Sequence, residues 1–352
     1  MKSKNIVLFI LIIAIIAAIW YLESTKTNIS LSPSSLSQEA VAPELTGIAG
    51  YINANPGIKI ADFRGKVVLI DFWTYTCINC IRTLPQMVEW DKKYQDKGLV
   101  IIGVHTPEFE FEKKYDNVKA AVERFGIQYR VVQDNEYATW NAFQNRYWPA
   151  KYLLDKEGHI RYTHFGEGNY EETEQKIREL LGENTPTGSS EGTITDRTPY
   201  LPTTPELYLG YSFALPRGQN VGNEQGLQPQ RDTDYALPEQ QSSNRVYLQG
   251  LWRSNADNIQ AGQQNSLLSL RFTASQLNMV ADANKSTQME VLLNERPISP
   301  QSVGKDIQVI GEKTFLTVSE PRLYNLINGP YGEYELQLRT ENGLRINSFT
   351  FG

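Results

Sequence analysis

The spacing of hydrophobic positions changes several times along the chain, and each change predicts an element. Lys2 and Lys4 precede an uncharged apolar run over residues 6–22, which at 1.5 Å per residue reaches roughly 25 Å, about enough to span a hydrocarbon core. The run ends in Ala17-Ala18-Ile19-Trp20-Tyr21. The aromatic pair reads as an interfacial anchor rather than a small-residue cleavage site. Residues 1–22 are therefore expected to form an uncleaved single-span anchor or signal-anchor. The lysine end would lie in the cytoplasm and the rest outside the plasma membrane, in periplasmic or extracellular space. Residues 23–44 turn to Ser, Thr and Pro and read as a tether.

In the next segment residues 58–60 alternate, 62–66 form a polar turn, and 67–72 are apolar except for Asp71, the pattern of a strand buried on both faces. After Cys77-Ile78-Asn79-Cys80 the period becomes helical through Ile81, Leu84, Met87, Val88 and Tyr94, with Gly98 as a stop. Cys77 thus sits where a strand gives way to a helix. Residues 99–104 predict another buried strand. Asn117 is expected to cap a helix presenting Val118, Ala121, Val122 and Phe125 before Gly126. A strand at 129–132, a short helix at 138–143, and a strand at 152–154 turning into 160–165 follow. The last helix starts near Asn169, with glutamates in its first turn, and ends at Gly182. The order βαβαβαββα makes 45–182 a mixed α/β domain.

Residues 183–197, rich in Thr, Ser, Gly and Pro, read as an interdomain linker. From 198 to 352 the period is two: Leu268, Leu270 and Phe272 alternate with Ser269 and Arg271, and Tyr334, Leu336 and Leu338 with Glu335, Gln337 and Arg339. With turn signals every eight to twelve residues, this predicts an all-β antiparallel sandwich, with 200–245 wrapping it as polar loops. Trp252 is an aromatic that could stack on a sugar face, with a core position as the simpler reading.

Composition narrows the chemistry. The formal charge of −6 argues against a broad nucleic-acid footprint. Two cysteines and three histidines exclude a disulfide-built framework and a structural zinc site, so no metal is expected. Both cysteines fall in one C-x-x-C on the first turn of a predicted helix. There two thiols can close a disulfide, and unpaired backbone N–H groups favour a thiolate at the first. Cys77 is the expected nucleophile and Cys80, one turn further in, the resolving thiol. A structural bridge rarely closes so small a loop, and there is no second C-x-x-C to complete a metal site.

The stretch Asp71-Phe72-Trp73-Thr74-Tyr75-Thr76-Cys77-Ile78-Asn79-Cys80 resembles the thioredoxin superfamily. Its wording W-T-Y-T-C-I-N-C, with Pro85 five residues after the second cysteine, looks like the membrane-anchored extracytoplasmic branch, the TlpA-like and DipZ-type thiol–disulfide oxidoreductases. The resemblance covers about 45–182. It implies dithiol exchange with protein thiols and disulfides and no bound cofactor beyond a redox-active Cys77–Cys80 disulfide. It also implies a cis bond before Pro149, a Trp148 backbone that pairs with an incoming substrate strand, and a Pro149 that keeps metal from the thiols. Tyr75 and Thr76 are expected to join Trp148 and Pro149 in contacting substrate; Tyr75, Trp140, Tyr147 and Trp148 could form an apolar rim for a peptide, with a core position as the equal alternative for Trp140.

By the same resemblance Asp71, costly in an apolar strand unless paired or protonated, would accept the proton of Cys80. The lysine that partners this acid in the family is expected near position 103, where this chain has Gly103, so it reads as missing. His105 ends its strand as either a proton shuttle or a side chain bonded to nearby backbone. His159 and His164 need no function.

DipZ-type chains carry a C-terminal β-sandwich similar to carbohydrate-binding modules. Thr204-Pro205-Glu206-Leu207-Tyr208-Leu209-Gly210-Tyr211 and Phe349-Thr350-Phe351-Gly352 look like its ends, implying a docking role with a glycan or cell-envelope ligand, or a plain spacer. Two other functions stay open. Thr74, three residues before Cys77, suggests a thiol peroxidase, against which Ile70 stands where such sites place a proline. A surface-binding protein with an accessory redox domain is the second. A reductase would need electrons from a membrane partner, and residue types alone do not set the direction of flow.

Overall fold

The computed structural model describes residues 41–183 and 198–352. The anchor expected at 1–22, the tether up to residue 40 and the linker from 184 to 197 lie outside the described residues. Among the described residues no helix is long and apolar enough to cross a membrane. Residues 41–44, expected as tether, instead pack on the first domain: Ala42 N–H donates to the Gly158 carbonyl, and Glu44 accepts the Ile60 and Ala61 N–H groups that open a 3₁₀ turn, Ile60–Phe63.

The first domain holds β1 (Gly50–Ile52), β2 (Val67–Trp73), α1 (Ile78–Tyr94), β3 (Leu99–His105), α2 (Tyr115–Arg124), β4 (Arg130–Gln133), α3 (Ala138–Ala142), β5 (Ala150–Leu154), β6 (Ile160–Phe165) and α4 (Tyr170–Leu181). Its sheet order is β1-β4-β3-β2-β5-β6, with β2, β3 and β4 parallel and the rest antiparallel. The alternation at 58–60 does not become a strand. The first strand is 50–52, which pairs at the edge with β4, and residue 60 opens the 3₁₀ turn. Asn117 does not cap α2, which starts two residues earlier; its Nδ2 donates to the Phe111 carbonyl instead. These two differences arise from tertiary partners that propensity cannot see.

Every residue of β2 is buried because both faces are covered. Val67, Leu69 and Trp73 pack with Leu84, Met87 and Trp90 of α1, while Val68, Ile70 and Phe72 pack with Trp140, Phe143 and Tyr152 on the other face. Side chains alternate along a strand, so Asp71 shares the α1 face with Val67, Leu69 and Trp73.

The second domain is an all-β antiparallel sheet domain. It contains β7 (Leu207–Tyr208), a short helix α5 (Tyr211–Ala214), β8 (Asp232–Tyr235), β9 (Val246–Ser254), β10 (Ile259–Ala261), β11 (Ser266–Ala283), β12 (Thr287–Leu293), β13 (Arg296–Pro297), β14 (Ile307–Ile310), β15 (Lys313–Val318), β16 (Arg322–Thr340) and β17 (Leu344–Phe351). Three of these elements fall within 200–245, which was expected to be loop. All the strands are joined along one hydrogen-bonded sheet, since β11 and β16 are long enough to run through both halves of the domain. Their pairing shifts register at Ala274/Gln276 and Leu277/Asn278, and such bulges bend a sheet. The N-terminal half of β11 pairs with β9 and the C-terminal half with β17. Both halves contribute to one core, Leu268, Leu270 and Phe272 with Met279, Leu326 and Leu338. Trp252 lies in that core at 1% exposure, which removes it as a sugar platform.

The domains share apolar surface. Val280 and Leu323 belong to the core that includes Leu84 and Trp90 of α1, and Phe109 packs against Tyr208 and Phe213. The packing places Val280 of β11 and Leu323 of β16 beside α1.

Candidate redox site

Cys77 is the N-cap of α1. Its backbone is extended (φ −72°, ψ 114°), and its Sγ accepts the Cys80 N–H at 3.3 Å. An N-cap residue offers its side chain to an N–H the helix cannot satisfy itself; here that acceptor is the sulfur. Cys77 is half-buried and Cys80 fully buried, and neither is joined in a disulfide. Burial, then the hydrogen bond and charge of Cys77, and then the charge of Asp71 hold the Cys80 thiol well above its ordinary value. It is therefore a protonated thiol that needs a base before it can attack.

Asp71 lies on the same face of β2. Its carboxyl is pushed up to about 6 by burial, with the charge of Lys151 opposing. Lys151 corrects the expectation that the acid lacks a lysine partner. Its Nζ stands 3.9 Å from Asp71 Oδ1, and both side chains are buried. The strand register explains why it was missed. Asp71 pairs with Gly103 on β3 but with Lys151 on β5, so the lysine comes from the opposite neighbour. A readable signal did exist, since each is the only charge in its strand.

The remaining expected site residues divide. The Trp148–Pro149 peptide is cis. Trp148 packs against the same core as Cys77 and lies 4.2 Å, centroid to centroid, from Trp140. Tyr147 is exposed. The side chains of Tyr75 and Thr76 turn inward, contrary to a rim position. Tyr75 stacks on His105 at 5.6 Å, and Thr76 Oγ1 donates to Glu112 Oε1 at 2.6 Å. His105 is buried with Nε2 3.3 Å from Thr74 Oγ1, and burial lowers its pKa to about 3. A ring held neutral at physiological pH fits the strand-end reading better than the shuttle. The same contact engages Thr74, the residue on which a peroxidase reading rests.

Sequence reasoning also missed Glu112. It is fully buried; Oε2 accepts the N–H groups of Glu108 and Phe109 at 2.6 and 2.9 Å, while Oε1 takes Thr76. Through Glu108 this anchor reaches the second domain, where Tyr208 OH lies 2.7 Å from Glu108 Oε1 and 3.0 Å from Glu206 Oε2. No periodicity marks these acids, because Glu108 lies in a loop and Glu112 in a single 3₁₀ turn, Glu110–Lys113.

A buried acid–lysine pair behind a helix-capping C-x-x-C, in a domain that also holds a cis Trp148–Pro149 peptide, defines a thioredoxin-like redox site, and comparison with known proteins agrees. Residues 40–163 match the model of the AhpC/TSA family, and 204–352 match that of the thioredoxin like C-terminal domain. The chain is 32% identical over 142 residues to the thiol-disulfide oxidoreductase YkuV of Bacillus subtilis, a span covering 40% of this chain and 94% of that protein. It is 34% identical over 333 residues to protein DipZ of Mycobacterium bovis, covering 93% of this chain and 45% of DipZ. A solved thioredoxin-like protein in its oxidised form aligns with 30% identity and a TM-score of 0.39, over 42% of this chain and 99% of that one. The chain belongs to the thioredoxin superfamily of thiol–disulfide oxidoreductases, of the TlpA/DipZ type. It spans less than half the length of the DipZ relatives it matches.

Proposed function

We propose that this protein is a membrane-tethered, extracytoplasmic reductase of protein disulfides that works through Cys77 and Cys80 without a bound cofactor. The observation that carries the reading is the graded pair of sulfurs, one capping α1 at the surface and one buried and protonated on the Asp71 face. Cys77, as thiolate, attacks a substrate disulfide and expels one substrate thiolate. Cys80 passes its proton to Asp71 and attacks Cys77 Sγ, which releases the second thiol. Two electrons reach the substrate and the protein is left as the Cys77–Cys80 disulfide. Resetting it requires a membrane electron-transfer partner. The extracytoplasmic side rests on the apolar run at 6–22 with its preceding lysines. The second domain serves as a docking module for cell-envelope partners beside the redox site.

Cys77→Ser is expected to abolish reduction of a model protein disulfide, and retained activity would overturn the proposal. Alkylating acid-quenched cells reads the direction of flow: a mostly reduced pair fits a reductase, while a mostly oxidised pair points to disulfide formation.

A further inference from the structure

Dithiol exchange leaves a cavity of about 860 Å³ between the domains without a role. One wall flanks the nucleophile on both sides: Tyr75 lies two residues before Cys77, and Ile78, Ile81 and Pro85 form the adjoining face of α1. The opposite wall comes from β11 and β16, with the side-chain amides Gln276, Asn278, Asn325 and Asn328. These amides pair across the strands, Gln276 Nε2 to Asn328 Oδ1 at 3.1 Å and Asn325 Nδ2 to Asn278 Oδ1 at 2.9 Å. One donor is left over. Asn278 is 1% exposed, and its Nδ2 has no hydrogen-bond partner. A buried donor of this kind is normally satisfied, so the wall is built to meet an acceptor.

The charges say which acceptor. Arg82, Arg124, Lys305 and Arg322 line the cavity with no aspartate or glutamate side chain; Gly352 lines it too, its oxygen accepting the Ser275 and Gln276 N–H groups. Three of the cations are ion-paired with acids that do not line it: Arg82 with Glu167 at 3.2 Å, Arg124 with Glu320 at 2.7 Å and Arg322 with Asp306 at 2.9 Å. Exposed Lys305 forms no ion pair among the described residues. A protein with a formal charge of −6 thus presents a locally cationic, amide-lined recess one residue from its nucleophile.

We infer that this cavity binds an acidic stretch of substrate polypeptide flanking the cysteine under attack. Carboxylates meet the cationic wall, a main-chain carbonyl takes the Asn278 donor, and the aliphatic stems contact Ile78, Ile81 and Pro85. The inference rests on the exchange reaction proposed above and specifies its substrate class.

The test uses the reduced full chain and three peptides of equal length, each carrying one cysteine as a mixed disulfide with thionitrobenzoate. Their flanks are Asp/Glu, Ser/Gln or Lys. Each rate of thionitrobenzoate release is divided by the rate of the same peptide with glutathione, which removes intrinsic reactivity. The acidic peptide is expected to react about tenfold faster than the neutral one in low salt, with the ratio falling towards one at high ionic strength. Lys305→Glu, an exposed charge reversal, is expected to cut the acidic-to-neutral ratio at least about threefold. Equal normalised rates, a preference for the lysine peptide, or a ratio unmoved in Lys305→Glu would overturn the inference. Failure of all three peptides and of a small disulfide would instead overturn the proposed function itself.

Discussion

Lys151 and Asp71 face each other across the antiparallel pair β2/β5, with Nζ 3.9 Å from Oδ1 and both side chains out of solvent. A carboxylate here is costly to ionise and a lysine beside it lowers that cost, so the Asp71 carboxyl rests near 6 instead of near 3.8. A base poised near neutrality suits the proton that Cys80 must lose.

Asp71→Asn separates the chemistry from the stability. Loss of the base is expected to slow resolution of the mixed disulfide by about a hundredfold at pH 7, read by stopped-flow. The folded state holds the Asp71 proton more tightly than the unfolded chain, so stability falls as pH rises from about 4 to about 6. The neutral amide avoids that loss. At pH 8 the variant gains at most about 3 kcal/mol, less the cost of leaving Lys151 unpaired, and at pH 3 it gains nothing. Denaturant titrations at both pH values check this.

Lys151→Met removes the charge that opposes the burial of Asp71. The midpoint of the pH–rate profile for resolution should then move to higher pH, while the rate of the first attack by Cys77 changes little. A midpoint that stays in place would show that the pair does not act on the reaction.

Cys80→Ser leaves the first attack intact and removes the second. Incubation with a disulfide-bearing protein should accumulate a covalent complex through Cys77, visible on a non-reducing gel and released by dithiothreitol.

Thr76→Val keeps the shape of the residue before the nucleophile and removes its hydrogen bond to the buried Glu112 carboxylate. Bonds to charged groups of this kind are worth about 1.5–3 kcal/mol. A loss in that range by chemical denaturation, recovered in Thr76→Ser, is the expected result.

At the domain junction, Glu108 is pushed up to about 8 by burial and by Glu206, and Glu206 to about 7 by burial, with Tyr208 OH between them and Arg217 opposing both. The folded state therefore retains protons that the unfolded chain has released above about pH 4.5. Stability contributed here is lost as pH rises from about 4.5 to about 8. A thermal melt should show Tm falling across this range, with a shallower fall in Glu206→Gln.

By itself the sequence determined what depends on neighbours along the chain. Buried strands at 67–72 and 99–104, the helix that Cys77 opens and the two-residue period after 198 are local patterns, set by which face of each element must leave water. The C-x-x-C at a helix start carries its chemistry with it, because the helix supplies the free N–H groups. Tertiary structure decided what depends on register and docking. Lys151 meets Asp71 only because β5 pairs with β2 at one particular offset, and a slip of one residue would turn it to the other face. Glu108 meets Tyr208 only because the β-domain packs against the first domain, and the cationic recess exists only in the gap that packing leaves. Contacts between segments about a hundred residues or more apart have no period to read, so they emerge only once both domains are folded and docked.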